Sequence, residues 1–544
     1  MMKRHRLDPR SRTGRSQAPL IALAVIAFVV FGGGVLQFGV QRALGMAGAA
    51  VLNATADGLL ESRVDHRLRV VDLEIDEQVL DSLQENLPYS GTEWKKAMLL
   101  DNGIHYPVSF RYRGYGAIHH IGNKKSFRLK MKRGAAFGPY ERMNFLNPKS
   151  FNMINVHLSY WIAARMGVAV PYNDMVFVRI NGKDHGVMHA CEQVDADYER
   201  NRHLSAGDVP MYKGDFAPTN VRDSVQHGPL WRSADNWQYL GKADSIDARR
   251  KLLGLVAMIN AKDVPWQQRR DSLEKIIEVD AFLRFAAAMK VLETRHIDNY
   301  HNQLLVLSPR TGKFYPVLWD PILLFAPADE PLYPMYDALS FWLMHDPEWR
   351  WKRDRYIEEA LHALQDDSLA YRYLDEVVER IEPSVHADRN KYGVLSMAGQ
   401  DVDRYSVLHW AYSTEQLRKQ MAAHWSGLRA ELEAGDIQVK REMNNVLIAG
   451  TGVPPVELTL TGDSLQVEAN SWGKDYRVDV IGSDEHAVRL RIFPWTAQNV
   501  KGSSYNDRQR YELQPWNVRL RMSGGRLSDA KATTYFHHGQ ETAR

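Results

Sequence analysis

The stretch His296-Ile-Asp-Asn-Tyr-His-Asn302, with the segments just after it, decides how this chain is read. It begins where a long apolar run, 279–292, ends, and that run has the length and composition of a core helix. Two strand-like runs come next, Gln303–Leu307 and Phe314–Trp319, joined by the turn Ser308-Pro-Arg-Thr-Gly-Lys313 and closing on Asp320. A helix thus delivers a polar loop to a hairpin that ends in a second acid. Helix and strand interleave within one unit, so the fold class is α+β.

The residue types in this unit suit one chemistry in particular. Phosphoryl transfer needs a carboxylate beside the acceptor hydroxyl, together with an amide oxygen and a second carboxylate that hold the magnesium bridging the nucleotide phosphates. Asp298, Asn302 and Asp320 stand in that order, with the Asp-to-Asn spacing one residue shorter than in protein kinases. Alone, an Asp and an Asn four positions apart are equally an acid and an amide capping a loop.

Working outward, the N-terminal side is strand-rich. Val70, Leu73 and Ile75, then 94–100, then Val108, Phe110 and Tyr112 alternate with polar residues. In Lys125-Ser-Phe-Arg-Leu-Lys-Met-Lys132, period two puts Phe127, Leu129 and Met131 on one face and Arg128, Lys130 and Lys132 on the other. The segment 151–166 has helical spacing and stops at Gly167. Two strands, 174–180 and 185–191, flank Asn181-Gly182, a strong hairpin signal. Helices dominate from about residue 245, with amphipathic runs over 347–382 and 413–434, and alternation returns after Gly435. The expected organisation is a basic arm 1–17, an apolar helix 18–40, a linker 41–65, a two-lobed domain 66–435 and an antiparallel β module 436–530. No repeat of 20–50 residues is present.

The first residues set the compartment. Six Lys/Arg and one acid precede 23 uncharged residues, Ala18 to Val40. That run spans a hydrocarbon core of roughly 30 Å, and the basic flank should stay in the cytoplasm. The expectation is a single-pass inner-membrane protein whose domains are extracytoplasmic. A cleavable signal peptide is the alternative, because 45–49 is rich in small residues. The 544 residues, 44% hydrophobic and 25% charged, exclude general disorder, and the lone Cys191 excludes a disulfide scaffold. A net charge of +3 from 69 basic and 66 acidic residues argues against a nucleic-acid partner.

Several segments in order carry a family resemblance: Arg111-Tyr-Arg-Gly114, Asn123-Lys-Lys-Ser-Phe-Arg128, Ile180-Asn-Gly-Lys-Asp-His-Gly186, Glu192-Gln-Val-Asp195, Met211-Tyr-Lys213, Asp298-Asn-Tyr-His-Asn302 and Leu318-Trp-Asp320. From about Leu68 to Arg429 the chain resembles the spore coat protein H (CotH) kinase-like family of atypical kinases. The resemblance implies a two-lobed kinase-like domain using ATP or another nucleotide and magnesium. Asp298 would be the catalytic base, with Asn302 and Asp320 as metal ligands. Lys125, Lys130 and Lys213 are rival candidates for the phosphate-side lysine. Glu192 faces either the nucleotide or a lysine, or is a strand-end acid. One departure stands out. The family pattern is Trp-Asp-x-Asp, whereas this chain reads Trp319-Asp-Pro-Ile322.

Other features have plainer readings. His119-His120 are expected at the surface, Trp349-Arg-Trp351 in helix packing, and Cys191 as a small buried hydrophobe. His296 and His301 lack the cysteines or the HExxH pattern of a zinc site. Three functions remain in view: a kinase acting on a protein hydroxyl, an inactive kinase-fold scaffold working with envelope or exopolysaccharide assembly proteins, and a carbohydrate-binding protein suggested by 14 Trp and 24 Tyr.

Overall fold

The computed structural model describes residues 48, 51 and 66–536, apart from 115, 206, 215–228, 242–244, 262, 295, 323–333, 336, 395–401, 443–444, 469–475, 495–496, 502–508 and 514. The apolar run 18–40 lies outside the described residues. Among the described residues no helix is long and apolar enough to cross a membrane.

Alternating strands build the first lobe. β1 (Arg69–Glu74), β2 (Lys95–Asp101), β3 (Ile104–Tyr112), β4 (Phe127–Lys130), β5 (Arg142–Leu146), β6 (Asn173–Ile180) and β7 (Lys183–Glu192) form a closed barrel in the order β1-β2-β3-β4-β5-β7-β6. A short helix α1 (Glu77–Gln84) follows β1. β1 closes the barrel by pairing in parallel with β6, Val71 opposite Val178. The alternation expected over 125–132 holds, because Phe127 and Leu129 join Phe110, Tyr112, Met143 and Phe145 in the barrel core. Asn181 and Gly182 turn between β6 and β7 with φ of 52° and 72°, the left-handed pair a two-residue hairpin needs.

The outward face of the barrel is covered too. Phe177, Val187 and Cys191 belong to a second core, which also takes in helix α2 (Asn155–Arg165) through Leu158 and Ile162. That helix, interleaved in sequence with the strands, therefore packs with the second lobe.

The second lobe holds a sheet in the order β11-β10-β8-β9, made of β8 (Met211–Gly214), β9 (Gln238–Tyr239), β10 (Gln303–Leu307) and β11 (Phe314–Pro316). Around it lie α3 (Ile246–Asn260), α4 (Trp266–Ile276), α5 (Val279–Leu292), α6 (Ala338–His345), α7 (Pro347–Leu361), α8 (Leu369–Ala387) and α9 (Val407–Glu433). The run 347–382 is two helices, α7 and α8, not one. Short strands β13 (Tyr392–Val394) and β14 (Val402–Arg404) pair with each other, whereas β12 (Pro334–Met335) pairs with a strand of the C-terminal module.

Beyond it, β15 (Ile437–Glu442), β16 (Asn445–Gly450), β17 (Val456–Glu468), β18 (Tyr476–Ser483), β19 (Ala487–Pro494), β20 (Ala497–Lys501), β21 (Gln509–Leu513) and β22 (Trp516–Thr534) are all antiparallel where they pair. Six of them form one sheet in the order β15-β16-β22-β17-β19-β18, while β20 and β21 form a separate small sheet with β12. The six-stranded sheet docks on α7: Arg477 meets Glu348 at 2.5 Å, and Trp351 packs edge-on to Phe493 and Tyr535. Trp349 and Trp351 are thus packing residues, 2% and 8% exposed.

Candidate functional site

The loop 296–302 is set by the end of α5. Glu293 breaks the helix in the left-handed region, φ 49°, and its buried carboxylate meets Lys290 Nζ at 2.7 Å. From α9, Trp425 Nε1 donates to the Val291 carbonyl at 3.0 Å, and His424 Nε2 lies 2.9 Å from the Lys290 carbonyl oxygen. With the helix end clamped, Asp298 organises the rest of the loop. Its Oδ1 accepts from the amides of Tyr300 (2.7 Å) and His301 (3.0 Å) and lies 3.0 Å from His301 Nδ1. Gln303 Nε2 donates to the Asp298 carbonyl at 2.7 Å. The loop-capping role is therefore real, whatever else Asp298 does. Burial, with 6% exposure, works to raise its pKa, but the hydrogen bonds from His301 and Tyr300 prevail and hold it below the ordinary value.

Asn302 and Asp320 both adopt left-handed backbone, φ 60° and 49°, and they converge on one atom. His296 Nδ1 lies 3.0 Å from Asn302 Nδ2, 3.0 Å from the Asp320 carbonyl oxygen and 3.3 Å from Asp320 Oδ2. Asn302 Nδ2 donates to the His296 carbonyl at 2.8 Å. The Asp320 amide bonds Tyr160 Oη at 2.9 Å, tying the hairpin end to α2. Lys149 Nζ lies 2.8 Å from Asp320 Oδ2. Burial opposes the charge on Asp320, but Lys149, His296 and His119 hold its carboxyl well below the usual carboxylate range.

One carboxylate and one side-chain amide are two oxygen donors, whereas magnesium takes six. Among the described residues no group of three or more His, Cys, Asp or Glu is placed to hold a metal ion. The donor set fits a cation that arrives with a polyphosphate, not one the protein holds alone.

The other sequence candidates lie apart from this point. Lys125 is half-buried and donates to the Gly122 carbonyl, Lys130 is exposed at the end of β4, and Lys213 sits in β8 opposite Leu304. Glu192 is 1% exposed and committed: Arg202 Nη2 and Nη1 reach its two oxygens at 2.7 and 3.2 Å, and Asn201 Nδ2 donates at 2.8 Å. It faces an arginine rather than a lysine. Lys124, beside Lys125, is fully buried against Asp388 at 2.5 Å. His119, expected at the surface, instead tucks its ring against Gly114 and places Nδ1 2.8 Å from Ser126 Oγ.

Two features escaped the sequence. Lys149, in Asn147-Pro-Lys-Ser150, is the lysine that meets the hairpin acid. The other positive charge acting near Asp320 is arginine: burial lowers the Arg113 pKa, and Asp320 and Tyr160 are among the groups acting on it. The parity of β3, with Phe110 and Tyr112 inward, places Arg111 and Arg113 together on the outward face and was a usable signal.

The family described as CotH kinase protein matches residues 110–423, a span containing Lys149, Asp298, Asn302 and Asp320. The chain is 24% identical over 319 residues to the inner spore coat protein H of Bacillus subtilis (strain 168), covering 56% of this chain and 85% of that protein. Among solved structures, the HipA, HipB and operator DNA complex of the Shewanella oneidensis MR-1 toxin–antitoxin system is 12% identical, covering 68% of this chain and 72% of that one, with a TM-score of 0.24, too low to carry an argument. On the matched span, more than half its length, the chain belongs to the CotH kinase family.

Proposed function

We propose that this chain is a membrane-anchored, extracytoplasmic atypical kinase that transfers phosphate from ATP or another nucleotide to a protein hydroxyl. The observation that carries the reading is the convergence of Asn302 and Asp320 on His296 Nδ1, in the loop that Asp298 caps. Asp298 stands on the acceptor side, where a carboxylate orients the hydroxyl and takes up its proton as the bond to phosphorus forms. Asn302 and Asp320 would hold magnesium, which when bound neutralises charge on the transferring phosphate. Lys149 keeps Asp320 ionised at the pH of any envelope compartment. Tyr160 and His296 fix the hairpin end, so the two ligands need little reorganisation.

A second reading, a kinase-fold scaffold in envelope or exopolysaccharide assembly, draws on two observations. Ile322 stands where the family pattern has its second acid, and Asp320 already has an ammonium partner. ATP is also scarce outside the cytoplasm.

Thermal denaturation with nucleotide, with and without magnesium, separates the two. The kinase reading expects a rise in melting temperature that Asp320→Ala removes in its magnesium-dependent part. A scaffold with an empty cleft shows no rise for either protein.

A further inference from the structure

α7 does not close with an ordinary last turn. The chain continues through a π turn, His362–Asp366, before α8 begins. Such a turn widens the helix and recurs at functional sites. It meets the end of α9 and Phe536 around a cavity of about 420 Å³. Leu361, Leu432 and Phe536 line this cavity and are each no more than 3% exposed, so its inner wall is apolar. Glu358, Glu359 and Glu433 line it too, beside Asp366 and Arg429, which pair with each other at 2.8 Å. An apolar wall with a few charged groups, at this volume, has the character of a small-molecule site. Within the turn, Gln365 Oε1 is a buried acceptor with no hydrogen-bond partner among the described residues.

The same turn is tied to α9. Gln365 Nε2 donates to Ser426 Oγ at 3.0 Å, and Arg429 holds Asp366. Ser426 directly follows His424 and Trp425, whose rings bond the last carbonyls of α5. α5 in turn leads into the loop that Asp298 caps.

We infer that this cavity is an effector site for a small organic amine with an aromatic or alkyl body, and that α9 carries its occupancy to the loop of Asp298. The lining selects that chemistry. An ammonium group suits the carboxylates of Glu359 and Glu433 and the ring of Phe536, while the apolar body covers Leu361 and Leu432. An anion of the same shape meets like charge at the same place. The inference rests on the kinase reading only in what the loop does, not in whether the cavity fills.

The test titrates the full-length protein in detergent with phenethylamine and with phenylpropionate, which has a similar body and the opposite charge. Each titration is corrected for uptake by micelles. The amine should bind, more weakly at high salt, and the carboxylate should bind about tenfold or more less tightly. Glu359→Lys, at a side chain 52% exposed and therefore tolerated by the fold, should weaken amine binding about three- to tenfold. Leu432→Trp, which fills the cavity, should abolish it. Amine binding should also change hydrogen exchange of the Tyr300 and His301 amides, which donate to Asp298, by about twofold or more. Trp425→Phe lacks the donor to the Val291 carbonyl, so it should bind the amine and lose that response. Absence of amine binding would overturn the inference, and so would equal binding of the carboxylate. Amine binding that leaves exchange at Tyr300 and His301 unchanged would overturn it as well. An exchange response in a protein that transfers no phosphate would support the site and count against the kinase.

Discussion

Replacing Lys124 with Met should unfold this protein far more readily than the same change at Lys125. Lys124 Nζ and Asp388 Oδ2 are 2.5 Å apart, and both side chains are 0% exposed. Asp388 also accepts from the Val187 amide at 2.9 Å and the Asn390 amide at 2.7 Å, while a Cβ at Gly186 would collide with its carboxylate. The pair thus pins β7 and the approach to β4 against the end of α8. Burial opposes the charge on Asp388, but Lys124 and Lys391 hold its pKa below the ordinary value. Removing the ammonium leaves that carboxylate only two amides and the neighbouring Lys391, and breaking a buried pair costs about 3–5 kcal/mol. At this size the melting midpoint should fall by roughly 3–6 °C. Asp388→Asn in the Lys124→Met background should recover part of the loss, with a coupling energy of about 2 kcal/mol. Lys125→Met, at a half-buried side chain, should cost no more than about 1 kcal/mol. Urea denaturation of Lys124→Met, Asp388→Asn, the double variant and Lys125→Met reads these stability differences, and thermal denaturation reads the midpoint. A Lys124→Met protein within about 1 kcal/mol of wild type, with no coupling to Asp388, would refute the reasoning.

Two other expectations concern topology and pH. A reporter fused at the C-terminus should be exported while the chain stays in the membrane fraction, and release of a soluble species cleaved near Ala50 would contradict the anchor. Burial keeps His157 and His185 neutral, each pushed down to about 4. Folded values below the unfolded value of about 6.5 stabilise fully above that pH, and the contribution is lost as pH falls toward about 4. Each should cost about 1.4 kcal/mol per pH unit within that window. Denaturation between pH 7 and 5 should therefore show a shallower loss in His157→Gln/His185→Gln than in wild type, and equal slopes would contradict it.

How much could be read in advance depended on the range of the interaction. The α5 end, the 296–302 loop and the β10–β11 hairpin are local, and turn chemistry with apolar periodicity located them. The same holds for Asn181-Gly182. Barrel closure was not legible, because it rests on Val71 meeting Val178, a pairing that no window of sequence contains. The Lys149–Asp320 pair was not legible for a similar reason. Lys149 reaches Asp320 across 171 positions, a separation that no local pattern spans. Lys124 and Lys125 have opposite parity, which explains why one neighbour is fully buried and the other is not. Glu192 was recognisable as an important acid, but its partner, Arg202, lies past the strand end in an irregular stretch whose geometry no pattern gave.

The most direct test of the central claim is phosphate transfer from radiolabelled nucleotide by the full-length protein and by its Asp298→Asn variant, on the protein itself and on an acidic acceptor. The amide can still accept from the Tyr300 and His301 amides through its oxygen, so the loop should persist at a cost of about 1–2 kcal/mol. A group that acts on the acceptor hydroxyl in the transition state contributes about 10²–10⁴-fold, so turnover should drop by that factor while nucleotide affinity stays within about threefold. A folded Asp298→Asn protein with undiminished transfer would contradict the account.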